Sequence, residues 1–379
     1  MALEIRFHPA ETAGELTLEW DRLYAADPEA QFFLSRPFLA PILAHAPGEH
    51  VLLTAWNNGR LVALAALYHR LVWDGSARRY RTDFLFSGTR NWADYNGFLI
   101  APEDDIATMR GLAAFLKDQP WARLRLKNLR MGPARQTALL AAFDAADFGH
   151  RAVSKMINGG ATNNLICPAI ALPDRFEDYL AARSRNTRQK LRRLLRQLDG
   201  GAFNIREGAP ADLPDFALMW AQLWERKKDR VKLSQTYARI LSEGFEAGTL
   251  SLPVLTRDDR PIGYLANFRD PVKKTISFFV SARDPAIRDT PIGLMMHADA
   301  IRAAIADGYR RYDMLRGDEP YKLQLGGVAE EIRYSVLRRR SRVPSGQKLS
   351  GLSAHALRAD IATQDGSRAR IGARQLKAL

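Results

Sequence analysis

The sequence predicts an α/β protein built from two tandem lobes, each a mixed, mostly antiparallel sheet flanked by helices. Three observations carry this. The chain has 379 residues, 46% of them hydrophobic, enough for two ordinary cores. Two β-hairpins, one turning at Asn57–Arg60 and the other at Arg257–Arg260, lie about 200 residues apart and suggest an internal duplication. After each hairpin the same order follows: a strand, a helix and a closing strand.

Taken in order, residues 3–7 read as a strand and 16–26 as an amphipathic helix. Residues 51–56 and 61–69 alternate as strands around Asn58-Gly59, a dipeptide that favours the tight hairpin turn. A strand at 80–86, a helix at 104–117 and a strand at 123–128 complete the first series. In the second series, 250–256 and 261–268 form the hairpin and 274–281 a further strand. The helix 291–306 stops at Asp307-Gly308, and the strand 309–315 closes the lobe. The boundaries expected are a first lobe over 1–160, a connector over 161–205, a second lobe over 206–340 and a tail over 341–379.

The net charge of +14 favours an anionic partner: nucleic acid, an anionic membrane face or a phosphorylated ligand. Part of it lies in the connector. There Leu191, Leu194, Leu195 and Leu198 fall on one helical face, and Arg185, Arg188, Arg192 and Arg196 on the other. Such a helix is either a solvated link between lobes or an electropositive wall for phosphate groups or lipid headgroups. A second helix, 214–228, carries Phe216, Trp220, Leu223 and Trp224 at core spacing, and the tail reads as a basic, flexible extension. No apolar run approaches the ~18 residues of a membrane span, and no secretory leader is visible. The single cysteine, Cys167, excludes a disulfide framework, suits a reducing cytoplasm and reads as a small buried hydrophobe. The histidines have no metal-ligand spacing, so no metal is expected.

The strand 309–315 opens into a turn bearing Arg316, Gly317, Asp318, Glu319, Tyr321 and Lys322. An acid, a phenol and an amine cluster there, where a strand fixes the backbone and a turn exposes side chains. A polar cap on a strand would use the same residue types. The loop 281–291 leads from a core strand into a helix, with Thr290 placed to cap it and Pro291 suited to its first position. Gly293 leaves the first turn bare, and Arg288 lies just outside. A helix N-terminus with free amides and a nearby arginine suits a diphosphate.

Arg288-x-x-Pro291-x-Gly293 resembles the pyrophosphate loop of GNAT-type N-acyltransferases, which usually places a glycine where Pro291 stands. The proline, within Thr290-Pro291-Ile292-Gly293, is similar to the FemAB-like and cellulose-biosynthesis (CelD-type) branch of that superfamily. So are Asp307-Gly308, Asp313, the run Arg316–Glu319, Tyr321-Lys322, the basic helix 183–198, and Trp20, Phe32 and Phe38 near the start. The resemblance is strong over 262–325 and weak in the N-terminal half and the tail.

The resemblance implies tandem GNAT-like lobes, the first degenerate and the second binding acyl-CoA. Arg288, Thr290, Pro291, Gly293 and Leu294 would hold the diphosphate, and Ser281 with the strand 276–281 the pantetheine arm. Lys322 would stabilise the oxyanion, Tyr321 protonate the thiolate, and Asp313 or Glu319 deprotonate the amine. Arg185, Arg188, Arg192, Arg316, Asp94 and Tyr95 would shape the acceptor site. The expected protein is a cytoplasmic N-acyltransferase acting on an amine of a cell-envelope precursor, with an anionic membrane face as a working surface. An exopolysaccharide amino sugar and a lipid amine such as a sphingoid base are the candidate acceptors. The FemAB side would instead imply aminoacyl transfer from tRNA. A non-catalytic module binding nucleic acid or membrane is the third reading.

Overall fold

The computed structural model describes residues 3–45, 49–75, 78–103, 105–223 and 229–340. Trp224 and the tail 341–379 lie outside them. The chain forms two compact units, one of residues up to 154 with the strand 333–339, the other of residues 155–331.

The first unit runs β1 (Glu4–Pro9), α1 (Thr17–Ala26), α2 (Arg36–His45), β2 (His50–Asn57), β3 (Arg60–Asp74) and β4 (Arg79–Phe86). It continues with β5 (Leu99–Ile100), α3 (Asp105–Lys117), β6 (Arg123–Leu129), α4 (Pro133–Leu140) and β7 (Phe148–Ala152). The second unit holds β8 (Met156–Ile157), β9 (Thr162–Asn163), β10 (Ile166–Ala171), α5 (Phe176–Ala181), α6 (Arg185–Asp199), β11 (Asn204–Glu207), α7 (Leu213–Leu223) and α8 (Arg230–Glu246). There follow β12 (Leu250–Ser251), β13 (Pro253–Arg257), β14 (Arg260–Asp270), β15 (Thr275–Arg283), α9 (Ile292–Ala306), β16 (Arg311–Asp313), α10 (Pro320–Gln324) and β17 (Val328–Glu331). The last described strand, β18 (Arg333–Arg339), returns to the first unit.

The main sheets run β1-β2-β3-β4-β6-β18-β7 and β11-β13-β14-β15-β16-β10-β17. Within them the two units repeat one pattern. Asn58 and Gly59 turn the first hairpin in the left-handed region (φ 52° and 74°), and Asp258 and Asp259 turn the second (φ 50° and 60°). Asparagine, aspartate and glycine are the residues that tolerate this conformation, so both turns are written in the sequence. A register shift precedes each turn, at Ala55/Trp56 and at Leu255/Thr256. A third antiparallel strand then leads through a crossover helix, α3 or α9, to a parallel partner: β4 with β6, and β15 with β16.

Leu112, Leu116, Trp121, Leu124 and Phe148 are among the buried residues of the first core, and Leu191, Leu194, Leu265, Met295 and Tyr312 among those of the second. Gly263 on β14 allows α9 to sit close on its sheet. A Cβ there would lie 2.7 Å from Ile292 Cγ2 and 3.0 Å from Met296 Sδ, closer than side chains pack.

The structure revises the expected boundaries. The segment 161–205 is part of the second unit: β10 lies between β16 and β17, and the leucines of α6 enter the second core. Residues 333–339 belong to the first sheet, where β18 pairs with β6 and β7. Pairing across so long a stretch of chain leaves no local sequence signal.

Candidate active site

In the second unit, β15 and β16 are paired only through Thr275–Ser277 and Arg311–Asp313. They part because the chain after Asp313 turns towards β10. Met314 N donates to Pro168 O (2.9 Å) and Gly317 N to Ile166 O (2.7 Å). Asp313 fixes that turn, since its Oδ1 accepts the amide of Leu315 (2.9 Å), a residue held at φ 54°. Beyond Ser277, no strand among the described residues pairs with the β16-facing edge of β15. A bulge between Ala266 and Asn267 shifts the register from Val280 to Phe278 and bends β15 at this point.

The N-terminus of α9 follows the same strand. Its cap position is Pro291 and its first residue Ile292, one step later than expected. Thr290 stands one residue before the cap position and does not cap the helix; its hydroxyl accepts Arg257 Nη2 (3.1 Å). Ile292 N bonds to Thr290 O and Met295 N to Pro291 O. The amides of Gly293 and Leu294 precede the helical hydrogen-bond ladder, as at any uncapped start. A Cβ on Gly293 would meet nothing within 4 Å, so open space lies on the side-chain side of this residue. Arg288 is exposed and has no ion-pair partner among the described residues, and Ser281 is half-buried on β15 opposite Leu265.

Asp313 is 1% exposed, and besides Leu315 it holds the Arg311 guanidinium (3.1 Å), which also grips Glu330 (2.7 Å). Tyr321 and Lys322, expected in a turn, lie on the short helix α10, which starts on Pro320. Lys322 Nζ is buried and donates to Arg316 O (2.8 Å), with Leu315 O at 3.5 Å and Glu319 Oε2 at 3.0 Å. Its protons therefore clamp the turn 315–319, leaving Glu319, 30% exposed, as the more open carboxylate. Burial, and then the Glu319 charge, push the Tyr321 phenol far above its ordinary range, so it stays protonated. Arg316 is half-buried beside the clamp.

The basic helix α6 is capped by Ser184, whose hydroxyl accepts Thr187 N (3.3 Å). Arg185, Arg192, Arg193 and Arg196 are exposed, and Arg188 is half-buried with a bond to Ala181 O (3.2 Å). None of the five is ion-paired among the described residues. Asp94 and Tyr95 lie in the first unit and are buried there. Tyr95, 1% exposed, packs edge-on to Phe33 and under Arg130, so its ring is part of that unit's core. Among the described residues no group of histidine, cysteine or acidic side chains is arranged to hold a metal. Cys167 is buried on β10.

The sequence did not point to His297 on α9 or Tyr312 on β16, which form a buried pair (2.9 Å) beside Tyr321. A lone histidine on an apolar helix face carries no signal of its own.

Residues 181–323 match the family model of the acetyltransferase (GNAT) domain. The matched stretch lies wholly within the second unit. Among solved structures it is similar to FemX, with 11% identity over 88% of this chain and 96% of FemX and a TM-score of 0.61. It is also similar to a conserved protein of unknown function from Bacteroides thetaiotaomicron VPI-5482, with 12% identity over 89% and 100% of the two chains and a TM-score of 0.55. At such identities these two likenesses speak for the fold alone. No curated protein sequence matches the chain.

Proposed function

We propose that the chain transfers an acyl group from acyl-CoA to an amine on a cell-envelope precursor, either an exopolysaccharide amino sugar or a lipid amine such as a sphingoid base. The parting of β15 from β16 carries this reading. It leaves an edge that no described strand covers, suited to an extended amide-bearing arm, and it ends at a helix start whose Gly293 and Leu294 amides precede the helical ladder. The amides of Gly293 and Leu294 with Arg288 hold the diphosphate, and the β15 edge from Phe278 to Ser281 pairs with the pantetheine.

The amine nitrogen attacks the thioester carbon, the carbon–sulfur bond breaks, and the leaving thiolate takes a proton from Tyr321. Burial keeps that phenol protonated, so the proton is present to give, and it moves as charge develops on the sulfur. The ammonium proton goes to Glu319, directly or through water; the more open of the two carboxylates fits this role better than Asp313, which Leu315 and Arg311 engage. Lys322 sets the turn that carries Glu319 and Tyr321. The cations of α6 support an acceptor that is itself anionic or sits on an anionic surface. No described helix is long and apolar enough to cross a membrane, so such contact would be peripheral.

Thiol release from acetyl-CoA and palmitoyl-CoA with a panel of amines tests the reading. Arg288→Ala is expected to raise KM for the donor about ten-fold with little change in kcat, the loss of one charge-assisted contact common to ground and transition states. An unchanged KM removes Arg288 from the site. No thiol release with any donor, together with steeply salt-dependent tRNA binding, would favour an aminoacyl-tRNA donor instead.

A further inference from the structure

Behind the parted strands lies a buried polar chain that these roles do not use. It runs from Asn267 on β14 through Tyr312 on β16 to His297 on α9. Tyr312 Oη is 3.4 Å from Asn267 Oδ1 and 2.9 Å from His297 Nδ1. All three side chains are buried.

The direction of the chain follows from counting protons. Asn267 Nδ2 donates to Leu265 O (3.3 Å), which orients the amide so that Oδ1 faces the phenol as an acceptor. Tyr312 has one proton. Given to Asn267, it leaves the phenol oxygen to accept, so the proton between Tyr312 and His297 resides on Nδ1. Given to His297, it would set two bare oxygens against each other in a buried site, at the cost of an unmet acceptor. A neutral imidazole carries a single N–H, so Nε2 then holds a lone pair. Burial, and then the Lys322 charge, lower this histidine's pKa to about 3, which keeps it neutral.

The ring stands between two parts of the candidate site. Phe278, the first β15 residue past the β16 pairing, meets it edge-on with centroids 4.5 Å apart and planes at 86°. Tyr321 lies on its other contact, with centroids 5.6 Å apart and planes tilted by 30°. We propose that His297 is a positioning residue for acyl transfer: the Asn267–Tyr312 relay locks its ring as the Nδ1–H tautomer, and the locked ring sets Tyr321 against the free edge of β15. The role rests on the acyltransferase reading of the site; the tautomer does not.

Long-range proton–nitrogen NMR on histidine-labelled protein at pH 7 reads the tautomer directly. The resonances of His297, assigned by their loss in His297→Gln, are expected to show a protonated Nδ1 and a bare Nε2. Free neutral histidine favours the opposite form. Tyr312→Phe keeps the packing and removes the hydroxyl, so it is expected to release the tautomer and lower kcat about ten-fold while KM for the acyl donor stays put. A protonated Nε2 in the wild type overturns the relay, and an unchanged kcat in a Tyr312→Phe protein whose tautomer has shifted overturns the positioning role. A relay found as assigned in a protein that transfers no acyl group overturns that role through the reading beneath it.

Discussion

Arg135→Ala is expected to destabilise the first unit by about 3–5 kcal/mol, the effect of leaving a buried carboxylate without its counter-charge. Arg135 is 1% exposed on α4, and its Nη1 meets Asp27 Oδ1 at 2.9 Å, with Asp27 itself 0% exposed. Its Nε donates to Asp105 at the start of α3 (3.0 Å), and Glu29 lies within 3.6 Å. The same carboxylates hold backbone in place: Asp27 Oδ2 accepts Ile100 N (2.8 Å), and Glu29 Oε2 accepts Gly132 N (2.8 Å). One guanidinium thus ties the end of α1, β5, α3 and α4. Urea unfolding of the variant measures the loss. Neutralising both partners, Arg135→Met with Asp27→Asn, is expected to cost less, because the new side-chain amide oxygen still accepts Ile100 N and no buried charge is left unpaired. If the single and double variants lose the same stability, the ion pair is not what holds this corner.

Mild acid is expected to unfold the protein well above the carboxylate range. In the first unit, burial lowers the pKa of His50 to about 4, assisted by the nearby Arg90 and His45 charges, and burial lowers His69 to about 4. Both are depressed from an ordinary value of 6.5. A base with a depressed folded pKa is neutral in the fold and takes up its proton only on unfolding. Its contribution is therefore complete above about pH 6.5 and is lost as pH falls towards about 4. Each histidine removes about 2 kcal/mol between pH 6.5 and pH 5, a large share of the stability of an ordinary domain. Urea midpoints at pH 7.5 and pH 5 report the loss, and His69→Phe is expected to flatten the profile. A midpoint that holds steady down to pH 5 would show that these imidazoles reach solvent in the fold.

Much of the frame was legible because it is local. Asn58-Gly59 and Asp258-Asp259 announce their hairpins through backbone conformations that few residues accept. The leucine face of α6 and the stop of α9 at Asp307-Gly308 follow from helical period and end chemistry. The helix α8 and the strands β10, β17 and β18 went unread, since their pairing and packing depend on distant partners. Pro320 signals the start of α10, yet the polar residues around it read as a turn. Within the site, the clustering of Asp313, Glu319, Tyr321 and Lys322 was visible, but their bonds were not. That Lys322 clamps carbonyls, and that Tyr312 and His297 meet behind Tyr321, arises from strands and helices brought together only by folding.

The donor site is tested most directly by isothermal titration of coenzyme A into the wild type, Gly293→Ala and Gly293→Asp. A Cβ at 293 meets nothing, so both variants have room to fold. Alanine removes the glycine penalty of up to about 1 kcal/mol, and an aspartate in the first turn favours the helix dipole. Stability is therefore expected to hold or rise in both. Coenzyme A is expected to bind the wild type, and at least about ten-fold more weakly to Gly293→Asp, whose carboxylate competes for the amides the diphosphate needs. Equal affinity in the wild type and Gly293→Asp, or no binding to either, would contradict the assignment of acyl-CoA to the start of α9.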